Sequence, residues 1–489
     1  MTLVPTGFRE CDGRWRTPEE IDAEGMERVG MAFAAMARRR HGDRPGIVTG
    51  HDFRREAADM HRALLRGLVA GGVEVLDCGL ALSPMVYHHW LAQGTGAGAA
   101  GCAMVTASHN PDGWTGVKLG LGEAPSTFGP EDMSELRGLA LGGAPAARPG
   151  LVRQVPDAAR SWLQGWPLSG LARPLRAVVA CGNGTAAAFV PDHLETLGVE
   201  VVPLGCELDW TFPLHHPDPD ATPMQRAMAD AIRKSGAEIA VGFDGDGDRL
   251  GAVDGRGRVI PGDRLGLILA RGIAAQRPGS RFLVDIKSTG LWARDPVLAE
   301  HGARVEFGPT GHSHMKRRLR EMRGGAATAG AVAGFERSGH MFLGHPCGQG
   351  FDDAPAAAAR LLEQVARDGP LADLADALPR TWATPPHAPA CPDAAKPAVA
   401  ARLRAALRTR SALGGTPVAG AVEAGGTRLN LQDGSWGLIR ASQNTPNLVV
   451  MAESTEGPAH RDAILADLAA LLGAEPEVGA LGRSRRPRR

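Results

Sequence analysis

No run of this 489-residue sequence is apolar over the roughly 20 residues that cross a bilayer, and its N-terminus lacks the apolar centre of a secretory signal. These absences predict a cytoplasmic protein with no membrane partner. It also lacks net charge, with 54 Lys+Arg against 54 Asp+Glu, so no overall field draws it to nucleic acid or anionic lipid. The one basic cluster, residues 483–489, has no apolar partners and reads as the end of a frayed tail over 476–489. The seven cysteines are scattered and never spaced C-x-x-C, which argues against a disulfide framework and against a zinc ribbon. Lysine is scarce: of 54 basic side chains only five are lysine, at 118, 234, 287, 316 and 396. Surface Lys and Arg often exchange, but a compact ammonium at a reaction centre is not replaced by a guanidinium without cost. Each lysine therefore warrants separate scrutiny.

What is present suffices for a large interior, with 43% hydrophobic residues, and the length predicts about three domains. Over residues 1–150, strand and helix signals alternate. Thr17-Pro18-Glu19-Glu20 has the form of a capping box opening a helix to Arg40. Strands follow at 46–50, 73–76 and 99–105, with helices over 54–70 and from Ser83. The Gly/Ala/Pro stretch 142–150 is a linker. A second unit over 151–255, with a helix at 186–197, ends on the apolar run 239–243, and a third over 256–378, with a helix at 290–301, repeats the alternation. Beyond the Pro-rich stretch 379–397, period-two runs near 419–424, 427–431, 435–440 and 448–453 lie between two helices. The expected fold class is α/β: domains with mixed, mostly parallel sheets, plus a smaller C-terminal α+β domain over 379–475 on an antiparallel sheet.

The most informative segment is Asp244-Gly245-Asp246-Gly247-Asp248-Arg249, which follows the buried-strand run Ile239 to Phe243. Open α/β sheets place their chemistry on the loops at the C-terminal ends of strands. Alternate spacing through glycine aims the three carboxylates at one point, where like charges need a cation, and an all-oxygen set suits Mg²⁺. An EF-hand is excluded because Arg249 and Gly255 stand where its loop needs Gly and Glu. A solvated acidic turn is the plainer alternative.

A second loop, from Thr106 through Ser108, His109 and Asn110 to Lys118, also follows a strand. Its serine could carry a phosphoryl group, about −1.5 to −2 charges, if a metal, His109 and Lys118 offset them; the alternative is a surface turn capped by Ser108. Glu336, Ser338 and His340 share a short Gly-bounded loop whose groups could hydrogen-bond sugar hydroxyls or shuttle a proton. Arg440, Ser442, Asn444 and Thr445 combine a cation with hydroxyl and amide donors, a candidate phosphate cradle. Lys287 and the run Thr310 to Lys316 add cationic groups, with Lys316 read as part of a solvated basic helix face.

Taken in order, these loops resemble the α-D-phosphohexomutases, specifically the bacterial phosphomannomutase/phosphoglucomutase branch. The similarity starts at Phe8-Arg9-Glu10-Cys11-Asp12-Gly13-Arg14, passes through 48–54, 76–84, 181–184 and 209–219, and reaches the loop at Arg440. The resemblance implies three similar α/β domains and a smaller fourth, heart-shaped around a central cleft, in an enzyme that interconverts hexose 1-phosphate and hexose 6-phosphate of mannose or glucose. It implies Ser108 as phosphoserine, with Asp244, Asp246 and Asp248 and that phosphate holding Mg²⁺. A hexose 1,6-bisphosphate (glucose or mannose) would be intermediate and activator. Arg14, His109, Lys118, Arg249 and His340 fall on catalytic positions, with Lys118 or His340 as the proton acceptor. Lys287, His312, Glu336, Ser338, Arg440, Ser442, Asn444 and Thr445 fall on substrate-binding ones. The expected partners are phosphosugars, with no nucleic acid, and the chain itself a monomer or weak dimer. Trp15, Gln443 and Asn444 depart from the residues usual in the family. Phosphoglucosamine mutase and a non-catalytic sugar-phosphate binder stay open as alternatives.

Overall fold

The computed structural model describes residues 1–93, 98–168, 170–324, 330–443 and 445–481, folded around four sheets in chain order. The first three sheets share one plan. In each, a first strand lies between a second and a third, both parallel to it, and a fourth returns antiparallel beside the third. The quartets are Gly46–His51, Glu74–Leu80, Ala99–Val105 and Trp114–Leu121; Leu175–Ala180, Val199–Leu204, Ile239–Phe243 and Leu250–Asp254; and Arg281–Asp285, Arg304–Gly308, Val332–Phe335 and Met341–Leu343. Ile239–Phe243 is buried at every position, as an inner strand must be when both sheet faces are covered. The turn from third to fourth strand falls at 106–113, 244–249 and 336–340, so the serine, aspartate and Glu336 loops occupy one equivalent place.

The fourth sheet is antiparallel throughout, from Trp382–Ala383 at one edge to Ala412–Leu413 at the other, with helices Lys396–Arg408 and Pro458–Gly473 packed on it. The fold class is therefore the expected one. One apolar core runs through the first three units and includes Trp90, Trp162, Phe243, Trp292 and Leu362. The fourth has its own core around Leu403, Leu429 and Leu468, and docks through Ile286, Trp436, Leu438 and Met451. Arg428, 1% exposed, seals that junction between the rings of Phe307 and Trp436 and donates to the Ile286 carbonyl at 3.0 Å.

Four local expectations are corrected. The first helix is Ala23–His41, capped by Asp22 accepting from Gly25, because Glu20 instead accepts from the Arg16 backbone within a turn. The helices expected at 186–197 and 290–301 are each broken into a 3₁₀ turn and a short helix, Thr185–Ala188 with Val190–Thr196 and Gly290–Arg294 with Pro296–Glu300. Pro191 and Pro296 cannot donate to the preceding turn and instead start new helices. Lys118 lies on the strand Trp114–Leu121 rather than on the serine loop. The end of the basic tail, from residue 482, lies outside the described residues. Among the described residues, no helix is long and apolar enough to cross a membrane.

Candidate active site

Ser108 sits at φ 52°, a left-handed conformation that costs a non-glycine residue about 1–3 kcal/mol and persists only where surroundings enforce it. The enforcement comes from below. Ser108 N donates to Thr106 Oγ1 at 2.8 Å, and that hydroxyl donates to Asp52 Oδ2 at 2.6 Å. Arg54 donates to the same carboxylate oxygen at 3.1 Å, to the Asn110 carbonyl at 2.9 Å and to the Ser108 carbonyl. The loop thus aims Ser108 Oγ across the domain boundary at Asp244 Oδ2, 2.6 Å away, with His109 Nδ1 at 3.1 Å.

The aspartate loop meets it there. Gly247 takes φ 73°, and a Cβ on Gly245 would run into the Ser108 carbonyl oxygen, so this approach needs glycine. Asp244 Oδ1 accepts from the backbone N–H of Asp248 and Arg249 at 3.0 and 3.1 Å. Asp244, Asp246 and Asp248 are fully buried, with one carboxylate oxygen from each within 4.8 Å of the others. Burial, then the charges of Asp248 and Asp246, push the Asp244 carboxyl well above the usual range. Oδ1 of Asp246 and of Asp248 are buried without a hydrogen-bond partner. Three convergent carboxylates with two orphaned oxygens fit a hard divalent cation such as Mg²⁺.

Lys118 answers the same charges. Its Nζ donates to Asp246 Oδ2 at 2.6 Å and also to Asp248. Burial alone would lower its pKa, but these carboxylates outweigh burial and hold it well above the usual lysine value. In this form the ammonium of Lys118 is held between two aspartates.

On the opposite wall, Arg249 Nε donates to His340 Nε2 at 3.1 Å, which leaves His340 Nδ1 to donate to Asp352 Oδ2 at 3.1 Å. Asp352 Oδ1 accepts from Lys316 Nζ at 2.8 Å. Lys316 is wholly buried, its ammonium 4.2 Å from the Tyr87 ring centroid, so the solvated helix face expected for it is wrong. The helix His312–Gly324 turns that side chain into the interior, toward a carboxylate 36 residues away in sequence. His312 stacks on His340 with ring centroids 6.1 Å apart. Burial and the charges of Lys316 and Lys118 depress the His312 pKa well below the usual value; Arg249 and burial do the same for His109, so both imidazoles are neutral.

Glu336 is almost fully buried, accepting from Gly311 N at 2.7 Å and from Ser338 Oγ at 2.9 Å. Lys287 Nζ is 3.4 Å from Asp285, and Arg14 donates to Asp12 at 2.9 Å and to Asn110 Oδ1 at 3.4 Å. Arg440 is buried with an unpartnered Nε, and burial lowers its pKa. Ser442 and Thr445 are joined through their hydroxyls at 2.8 Å, and Lys396 Nζ donates to both of their carbonyls at 2.8 Å. Asn444 lies outside the described residues.

A cavity of about 440 Å³ opens where these loops meet. Arg14, Ser108, His109, Lys118, Arg249, His312, His340 and Thr445 are in its wall. Lys287, Glu336, Ser338, Arg440 and Ser442 are not; Arg440 borders a separate cavity of about 150 Å³ in the fourth unit. The wall also contains Arg9, Cys11, Asn110, Trp114 and Gln443, which the sequence reading did not select. Arg9 and Cys11 flank Glu10 in the N-terminal signature, a signal that was available. Gln443 Nε2 donates to Glu10 Oε1 at 3.0 Å, and His314 Nε2 is 3.1 Å from the same oxygen, so one carboxylate joins three domains.

A serine hydroxyl held against a buried carboxylate set, where four domains meet, is the arrangement of a phosphohexomutase, an isomerase. Comparison with known proteins agrees. The models of phosphoglucomutase/phosphomannomutase alpha/beta/alpha domains I, II and III match residues 5–138, 169–257 and 261–382. The chain is 33% identical over 458 residues to a phosphomannomutase/phosphoglucomutase of Pseudomonas putida, covering 92% of this chain and 93% of that one. It is 33% identical over 451 residues to a phosphoglucomutase of Neisseria gonorrhoeae, covering 91% and 92%. Its structure superposes with a TM-score of 0.86 on a crystal structure of a phosphoglucomutase/phosphomannomutase family protein from Burkholderia thailandensis, at 29% identity and covering 98% of this chain and 100% of that one. The chain belongs to the phosphoglucomutase/phosphomannomutase family.

Proposed function

We propose that this protein interconverts hexose 1-phosphate and hexose 6-phosphate, with mannose or glucose as the hexose, through phosphorylated Ser108 and a hexose 1,6-bisphosphate. The observation that carries the reading is the 2.6 Å approach of Ser108 Oγ to Asp244. A serine in a merely structural turn has no need of a buried, under-neutralised carboxylate set beside it. The names of the bacterial relatives support the choice of sugars.

Asp244, Asp246 and Asp248, with the phosphate on Ser108, would hold Mg²⁺, which when bound neutralises charge on the transferring phosphoryl group. In the first half-reaction the Ser108 Oγ–P bond breaks as a bond forms from phosphorus to the free sugar hydroxyl, whose proton passes to a base. His340 takes that role through Nε2 once Arg249 turns to the phosphate, while Asp352 fixes the ring through Nδ1. Lys118 stays an ammonium and serves as a charge partner. Glu336 and Ser338 hold sugar hydroxyls, with Lys287 and His312 beside them. Arg440, Ser442, Asn444 and Thr445 grip the far phosphate, and Arg14 the near one. The bisphosphate then turns over so that its second phosphate returns to Ser108. A cavity of about 440 Å³ is within the size range of small-molecule sites, about 300–1,000 Å³. Positioning and electrostatics supply most of the rate in such transfers.

Ser108→Ala tests the carrier. The variant should fold, lose mutase turnover, and lose the phosphoserine mass carried by fresh wild-type protein. Normal conversion of glucose 1-phosphate by that variant would reject the reading. Mannose, glucose and glucosamine phosphates assayed side by side identify the sugar.

A further inference from the structure

All seven cysteines are free, yet two that are distant in sequence meet. Cys181 follows the strand Leu175–Ala180, and Cys206 follows its parallel neighbour Val199–Leu204 by one residue more. Parallel neighbours end at the same sheet edge, and here the two sulfurs lie 3.6 Å apart. Cys206 Sγ also donates to the Val179 carbonyl at 3.1 Å. Cys181 is buried, whereas Cys206 is only partly so. A disulfide needs sulfurs about 2.05 Å apart, so the pair is one short approach from bonding.

We propose that Cys181 and Cys206 are a modification site for hydroperoxides, forming a reversible disulfide that slows turnover. The Cys206 thiolate attacks one oxygen of hydrogen peroxide and breaks the O–O bond. Its sulfur becomes a sulfenic acid, and the other oxygen leaves as water with the proton the thiol gave up. The Cys181 sulfur then displaces the sulfenic oxygen, which leaves with the Cys181 proton as a second water. Two thiols are oxidised, and one peroxide is reduced to two waters. Cys206 is suited to attack first because it is the less buried of the two, whereas burial pushes Cys11 and Cys78 up to about 12.

The contacts around the pair carry the effect to the site. Asn183 N donates to the Gly205 carbonyl at 2.7 Å and its Nδ2 to that of Glu207 at 2.9 Å, so the two turns move as one. Gly184 packs on the aspartate loop: a Cβ there would stand 3.4 Å from Gly245 Cα. Thr185 Oγ1 accepts from Phe53 N at 2.8 Å, next to the Asp52 and Arg54 brace under Ser108. Drawing the sulfurs together strips Cys206 from Val179 and pulls on a turn that touches both catalytic loops.

The test treats wild type and Cys206→Ser with hydrogen peroxide, blocks remaining thiols by alkylation, and maps peptides. Wild type should yield a peptide pair cross-linked at 181 and 206, and lose activity about tenfold, the scale of a sub-ångström misplacement of reacting groups, with dithiothreitol restoring both. Cys206→Ser should show no cross-link and keep its activity. Absence of that cross-link in wild type, a cross-link with undiminished turnover, or equal inactivation of Cys206→Ser would each overturn the proposal. The cross-link is read by mass alone, so a reduced protein with no mutase activity would sink the proposed reaction and leave the thiol chemistry standing.

Discussion

At the scale of single residues, lysine repays the attention its scarcity drew. Lys118 and Lys316 are buried against aspartates, Lys287 lies beside Asp285, Lys396 ties down the Ser442–Thr445 loop, and only Lys234 is exposed. Removing one partner of a buried ion pair leaves the other charge uncompensated. Lys316→Met should therefore destabilise the protein by about 3–5 kcal/mol in urea unfolding, whereas Lys234→Ala should stay within about 0.5 kcal/mol. Asp353 offers a test with a pH axis. It caps the helix Ala354–Asp368, accepts from Trp162, and is pushed up to about 7 by burial. A carboxyl raised above its unfolded value of about 3.9 gives its full contribution below that pH and loses it as pH rises through the folded pKa. Asp353→Asn keeps the cap and cannot ionise. Its stability relative to wild type should climb from pH about 4 to about 7 in thermal unfolding, and a flat difference would refute the assignment. The three aspartates were legible because alternate spacing aims them at one point; Ser108, 136 residues from Asp244, was singled out by the resemblance of its loop rather than by spacing. Asp352, Ser83 and Arg54 were not, since each acquires meaning from a partner that only the fold brings near: His340, Asp246 and the Ser108 carbonyl.

At the scale of elements, most inner parallel strands announced themselves as apolar runs, while Val332–Phe335 and the returning fourth strands did not. Trp114–Leu121 alternates glycine with polar and apolar residues and was read as the tail of a loop, which put Lys118 in the wrong element. Prolines at 191 and 296 were visible, and their power to restart helices was underweighted. The meeting of the serine and aspartate loops makes a sharp prediction. Gly245→Ala forces a methyl group toward the Ser108 carbonyl, so the loops must part. Turnover should fall by roughly 10²-fold while far-UV circular dichroism is unchanged.

At the scale of the whole molecule, the pattern along the chain conveyed the number and kind of units, but nothing in it specified how they face one another. Contacts such as Glu10 with His314 and Gln443 arise only after each unit has folded. Each is worth about 0.5–1.5 kcal/mol, so Glu10→Ala should raise KM for the hexose phosphate about fivefold and increase the radius of gyration in small-angle scattering. The shared plan of the first three sheets reaches further. Because the same bend carries Ser108 in one unit, the three aspartates in the next and Glu336 with His340 in the third, one plan used three times delivers three chemically different loops to a common chamber. Changing the chemistry of that chamber would then require rewriting only three short bends, with every supporting frame left untouched.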